Sequence, residues 1–139
     1  MSGPTPKLNS ILLCDFVAQD PQSGKSYVMG VFDRIWIASA PATHRFLTIY
    51  ARLTDAEGSY KVRIDFVNLA TSEVIGSHEV EQPVEIRDRL SSFNVIVGIQ
   101  NLPIPGTGDY SFQLHADDKF LGETPFHVRL VGGGGQAND

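Results

Sequence analysis

The sequence has a single cysteine, Cys14, among its 139 residues. No internal disulfide can form, so a disulfide-stapled secreted framework is excluded. Basic residues are also scarce: 11 Lys and Arg stand against 16 Asp and Glu, a formal net charge of -5. Binding to a phosphate backbone needs a basic footprint, so nucleic acid is not an expected partner. No apolar run approaches the roughly 18 residues that a membrane span requires. The opening MSGPTPKLNS also lacks the apolar core of a signal peptide. A cytoplasmic protein with no membrane partner is the expectation. Helical periodicity is missing as well, since no stretch carries an i, i+3, i+4, i+7 apolar stripe of useful length. A Gly-x-Ser-x-Gly elbow, a phosphate-binding glycine loop and a His-Glu-x-x-His pair are all absent, which disfavours hydrolases of those kinds.

What is present is β-sheet chemistry. Apolar residues make up 42% of the chain and charged residues 19%, an ordinary balance for one folded domain of this length. Eight β-branched and aromatic runs stand out: 9–18, 27–37, 46–54, 60–69, 74–81, 92–100, 109–116 and 120–131. Turn segments such as DPQSGK, DAEGS and LPIPGTG separate them at the spacing of a sandwich or barrel. The expectation is an all-β, antiparallel β-sandwich of about eight strands, Greek-key or immunoglobulin-like. Residues 8–131 form that single domain. Residues 1–7 are expected as a disordered N-terminal tail, and 132–139, with four consecutive glycines, as a disordered C-terminal one.

Period-two alternation assigns faces. Tyr60, Val62, Ile64 and Phe66 share one side of their run, and Lys61, Arg63 and Asp65 the other. The same rule sets the last hairpin. A three-residue loop at Asp117, Asp118 and Lys119 pairs Ala116 with Phe120, Leu114 with Gly122, Phe112 with Thr124 and Tyr110 with Phe126. A two-residue loop would instead set Phe112 opposite Glu123 and is rejected on that ground. On this register His115 points to the wet face opposite Leu121, and HADDK is a hairpin tip rather than a catalytic or metal site. Asp109 faces His127 on the same wet side. Tyr110, entered through LPIPGTGD, has the position of a tyrosine corner, in which the hydroxyl bonds back to upstream backbone.

Several motifs carry a resemblance. LLCD at 12–15, SGK at 23–25, VMGVFDRIW at 28–36, Pro41, LPIPGTGDYSF at 102–112 and ADDKFLGETPFHV at 116–128 resemble an uncharacterised bacterial family of β-sandwich domains. LLCD and GVFDRIW are its most specific parts. At the hairpin tip Asp118 stands where that family commonly has glycine. The resemblance implies an immunoglobulin-like sandwich from a bacterial, intracellular source, and implies no activity.

Candidate sites are few. Cys14 has no neighbouring base or metal-ligand spacing and reads as a buried structural thiol. Asp15 and Asp33 interrupt apolar runs, so a buried carboxylate pair for acid–base work is one reading; Arg34 and backbone amides near Gly30 could equally satisfy them. The run VMGVFDRIWI is apolar on both faces, and Gly30 within it marks a bulge or a close backbone approach. Trp36, with Phe16 and Val17, is the expected contact surface for a protein partner or a second copy. Asp20, Asp55, Glu57, Asp117 and Asp118 would share a rim if successive strands alternate in direction. That rim resembles the calcium loops of C2 domains in place, but lacks their Asp-x-Asp spacing. The reading that follows is a non-enzymatic binding module with no cofactor and no metal. The alternatives are a calcium-dependent ligand- or membrane-binding module, and an enzyme around Asp15 and Asp33.

Overall fold

The structure, a computed structural model, describes residues 4–132. The chain forms β1 (Lys7–Cys14), β2 (Phe16–Gln19), β3 (Ser26–Met29), β4 (Arg34–Ile37), β5 (Ala42–Thr54) and β6 (Gly58–Tyr60). It continues with β7 (Val62–Asn68), β8 (Glu73–Glu79), β9 (Val84–Ile86), β10 (Phe93–Ile104), β11 (Gly108–Ala116) and β12 (Lys119–Leu130). A three-stranded sheet runs β1-β5-β10, and a five-stranded sheet runs β4-β12-β11-β7-β8. The ribbons β2-β3 and β6-β9 are separate two-stranded sheets.

The two larger sheets pack face to face, because the alternation of each leaves one apolar side. Leu47, Ile49, Leu53, Val95 and Val97 from the first meet Ile64, Phe66, Phe112, Leu114, Phe126 and Val128 from the second in one core. Within it Phe66 lies between the rings of Tyr110 and Phe112, each 4.9 Å from it. The expected all-β sandwich is therefore formed, but with twelve strands among the described residues rather than about eight. The four additional strands arise because three runs, 9–18, 27–37 and 60–69, each break in two, and because β9 forms between the runs 74–81 and 92–100. Residues 9–18 turn at Asp15, and 27–37 divide around Gly30–Asp33 into β3 and β4. That division is why VMGVFDRIWI is apolar on both sides: its halves serve different sheets. The sandwich is also not wholly antiparallel, since β4 runs parallel to β12.

The order β12-β11-β7-β8 against a second sheet corresponds to the G-F-C-C′ face of an immunoglobulin-like sandwich. The tyrosine corner supports the same description: Tyr110, near the start of β11, donates its hydroxyl to the Gly106 carbonyl at 2.8 Å.

The last hairpin keeps the expected body and differs at its tip. Tyr110 pairs with Phe126, Phe112 with Thr124 and Leu114 with Gly122. The loop has two residues, Asp117 and Asp118, at φ 50 and 66, the left-handed pair of a type I′ turn. Ala116 therefore pairs with Lys119 and His115 with Phe120. The difference is absorbed by a bulge at Leu121, which resets the register before Leu114. An alternation argument that admits no bulge must place the extra residue in the loop.

At the N-terminus, residues 4–7 are docked instead of forming a tail. Tyr60 donates its hydroxyl to the Pro4 carbonyl at 2.7 Å, Pro6 is buried, and β1 begins at Lys7. A proline-containing segment can be held by one strong carbonyl acceptor and apolar contact, which composition does not reveal. Residues 1–3 and 133–139 lie outside the described residues, and with them most of the expected C-terminal tail. Among the described residues no helix is long and apolar enough to cross a membrane.

Candidate functional site

The β2-β3 ribbon lies over the outer side of the three-stranded sheet. It pairs Phe16 with Met29, Val17 with Val28, and Ala18 with Tyr27. Strand alternation then sends Val17 and Val28 inward, where they pack with Cys14, Tyr50, Leu12 and Ile96. Cys14 is fully buried, its Sγ 3.6 Å from the Thr48 carbonyl, and burial pushes its thiol above the usual range. Thiolate chemistry is disfavoured there, as a structural thiol requires.

The outward side of the ribbon is apolar and uncovered. Phe16 is 52% exposed, Tyr27 53%, Met29 44% and Val31 60%, while Val17 is 9% exposed. Phe16 is thus placed on an open surface, and Val17, expected beside it, faces the protein. The correction follows from the period of two. The residues that sequence reading missed are Tyr27 and Met29. The DPQSGK turn signalled a hairpin between them and Phe16, and pairing across it would have found them. Trp36 is partly exposed on β4, with Ile37 buried on the opposite side. Val31 and Trp36 line one cleft with Phe32, Asp33 and Arg34, so the apolar surface continues from the ribbon toward the indole.

Asp15 and Asp33 are both exposed and line different clefts, Asp15 with Gly30 and His44, Asp33 with Val31 and Trp36. The buried carboxylate pair that acid–base work would call for is not formed. Gly30, at φ 72, does mark a close approach: a Cβ there would stand 2.8 Å from Asp15 Cγ. The Asp15 amide donates to the carbonyls of Met29 and Gly30 at 3.0 and 3.1 Å.

The acidic turns are engaged locally. Asp20 accepts from Ser23 Oγ at 2.7 Å and the Gln22 amide at 3.1 Å, which hold its carboxyl below the usual range. Asp55 lies 4.0 Å from Lys7 and 3.9 Å from Arg89. Asp117 accepts from the Lys61 amide at 2.9 Å, and Asp118 pairs with Arg63. Glu57 donates its backbone amide to the Tyr60 hydroxyl at 2.9 Å. Among the described residues no group of three or more His, Cys, Asp or Glu could hold a metal ion.

The outer face of the five-stranded sheet carries a cluster not foreseen from sequence. Asp65, buried, accepts from Ser77 Oγ at 2.7 Å and Arg63 Nε at 3.0 Å. Burial pushes its carboxyl up, and the Ser77 and Arg63 contacts together bring it below the usual range. His115, expected to be exposed, has a side chain only 12% exposed, with Nε2 3.4 Å from Asp65 Oδ2. That separation is within ion-pair range but lacks hydrogen-bond alignment, since among the described residues neither ring nitrogen has a hydrogen-bond partner. Phe120, brought opposite by the bulge, covers the imidazole at 5.7 Å between ring centroids. Ser77 is hydrogen-bonded to the carboxylate and not to the imidazole, so no activated nucleophile results. Further along this face Asp109 accepts from His127 at 2.8 Å and Arg129 at 2.9 Å, as the hairpin register requires.

In comparisons with solved structures, an immunoglobulin-like protein from Pseudomonas aeruginosa matches with a TM-score of 0.45 and 12% sequence identity, over 91% of this chain and 98% of that one. No curated protein matches the sequence. A family of unknown function, DUF6941, has a model that matches residues 9–129, and the chain belongs to that family.

Proposed function

We propose that the chain is a non-enzymatic binding module of the bacterial cytoplasm, whose contact surface for a protein partner is the outward side of the β2-β3 ribbon and its continuation to Trp36. One observation carries the reading. Both strands of the ribbon turn a valine inward, Val17 buried and Val28 partly so, yet their other side pairs Phe16 with Met29, next to Tyr27, with all three side chains open to solvent. A ribbon that served only to cover the sheet beneath it would be expected to be polar outside. Aromatic residues and methionine are enriched where protein interfaces are buried. The net charge of -5 argues against nucleic acid or an anionic membrane as the partner. The unpaired Cys14 fits a reducing compartment.

The test uses the full chain and its Phe16→Ser/Met29→Ser variant in crosslinking capture from the native host, with sedimentation over a range of concentrations to detect self-association. Loss of a specific captured protein, or of self-association, in the variant supports the reading. Identical capture and identical sedimentation would overturn it, provided that the variant melts like the wild type.

A further inference from the structure

The ribbon is shorter than the sheet that it covers. Its turn, residues 20–25, ends above the last rungs of β5 and β10, and there the sheet's outer side changes from apolar to polar. Tyr50 and Arg52 on β5 and Asn94 on β10 form a cleft with Ser23, Gly24, Lys25, Ser26 and Tyr27 of the turn and β3. We propose that this cleft binds a small oxyanion group, a phosphoryl or carboxylate group carried by a ligand, with Arg52 and Lys25 as the charged contacts.

The argument rests on which hydrogen-bonding capacities are left over. The Tyr50 hydroxyl donates to Asn94 Oδ1 at 3.1 Å, and Asn94 Nδ2 donates to Ser26 Oγ at 3.2 Å. This chain fixes the floor and spends the phenol's proton and the amide's oxygen inside the protein. What remains is chiefly donors: the second proton of the Asn94 amide, the Ser26 hydroxyl proton, and the ammonium of Lys25. Arg52 uses one nitrogen toward Ser92 Oγ at 2.7 Å, and among the described residues its other N–H groups have no acceptor. An acceptor-only ligand group matches such a set.

Charge points the same way. In a chain with a net charge of -5, a cation normally finds a carboxylate nearby. Among the described residues neither Lys25 nor Arg52 forms an ion pair. The nearest acid in the turn, Asp20, has its carboxylate turned to Ser23 Oγ and the Gln22 amide. Two unpaired cations above a floor of fixed donors are a local positive site on an acidic protein. The exposed ring of Tyr27 at the rim adds a flat apolar surface for whatever carries the anion. The charged contacts of this cleft lie apart from Phe16 and Met29, and the Tyr27 ring borders both surfaces.

The experiment titrates the 15N-labelled full chain with inorganic phosphate, citrate and, at matched ionic strength, chloride. Saturable amide shifts confined to residues 23–27, 52 and 94 are expected for phosphate, citrate or both, and not for chloride. A response to phosphate alone assigns a phosphoryl ligand, and one to citrate alone a carboxylate. Arg52→Gln should weaken binding about tenfold, the scale of one lost charge-assisted contact. Lys25→Gln with Arg52→Gln should abolish saturation. Asn94→Asp, which places a negative charge in the floor, should do the same while melting like the wild type. Shifts that stay linear with all three salts, or an unchanged affinity in the double variant, would overturn the site.

Discussion

Tyr110 donates its hydroxyl to the backbone carbonyl of Gly106, 2.8 Å away and four residues upstream. The ring itself is buried against Phe66 and Phe126. The side chain thus serves twice, once as a tether for the loop that enters β11 and once as core. The two roles separate by substitution. Tyr110→Phe removes the tether alone and should cost ~1 kcal/mol. Tyr110→Ala also empties the ring's volume and should cost about 3–5 kcal/mol. Urea denaturation of both variants checks this, and equal losses would show that the hydroxyl carries no separate share.

Gly30 and Asp15 give a second pair of separable costs. An alanine at Gly30 would have to hold a φ of 72 and would crowd the Asp15 side chain. The backbone strain costs of order 1–2 kcal/mol, and the crowding adds to it unless Asp15 rotates away. In a double-mutant cycle, Asp15→Ala should therefore recover only part of the loss caused by Gly30→Ala. Full recovery would mean that the left-handed backbone is no constraint, and no recovery that the carboxylate moves aside freely.

How far this architecture was legible depends on the residues concerned. The core was visible, because Val62, Ile64 and Phe66 alternate with Arg63 and Asp65 along β7; Tyr60, in the same alternation, instead ends β6 and packs with Ala56, Ile86 and Ala116. The division of 27–37 into two strands was not visible. The run carries apolar residues on both sides throughout, and it is the antiparallel pairing of β3 with β2 and the parallel contact of β4 with β12 that show where each half belongs. The bulge at Leu121 escaped for a related reason. A single extra residue changes the loop length while leaving the alternation of Tyr110, Phe112 and Leu114 intact. Alternation places His115 on the outer face of the sheet, where it lies, but predicts it open, whereas its side chain is only 12% exposed. Its cover comes from Phe120 and its neighbours from β7, contacts distant in sequence that no local pattern encodes. The exposed side of the ribbon was half legible: Phe16 stood out as an apolar residue beside another, and its partners required the pairing.

The acidic turns allow a clear negative expectation. Calcium takes about six to eight oxygens, whereas Asp118 is paired with Arg63, Asp55 lies beside Lys7 and Arg89, and Asp20 is spent on its own turn. Millimolar calcium should leave the melting temperature unchanged. A true site at a hundredfold excess over Kd would stabilise by about 2.7 kcal/mol, a shift of several degrees. A calcium-specific rise that magnesium does not reproduce, and that Asp117→Asn with Asp118→Asn abolishes, would establish the site against this expectation.

His115 makes stability depend on pH in a direction that can be worked out. Burial, and after it the charge of Arg63, lower its basicity below the ordinary 6.5, against the opposing pull of Asp65 and Asp118. The folded state therefore binds this proton less readily than the unfolded chain. Stability is fully present above the unfolded value of 6.5, and is lost as the pH falls through the lower folded value. His44, also lowered by burial, acts in the same window. Asp65, held below its ordinary 3.8, adds a separate loss only at more acid pH. Between about pH 7.5 and about pH 5 the wild type should lose stability, and His115→Gln should lose less, with the remainder traceable to His44. Urea midpoints across this range measure the difference, and an NMR titration of the imidazole locates the folded value directly. A midpoint above 6.5 would mean that Asp65 and Asp118 outweigh burial, and that the pair stabilises the protein as an ion pair at low pH instead.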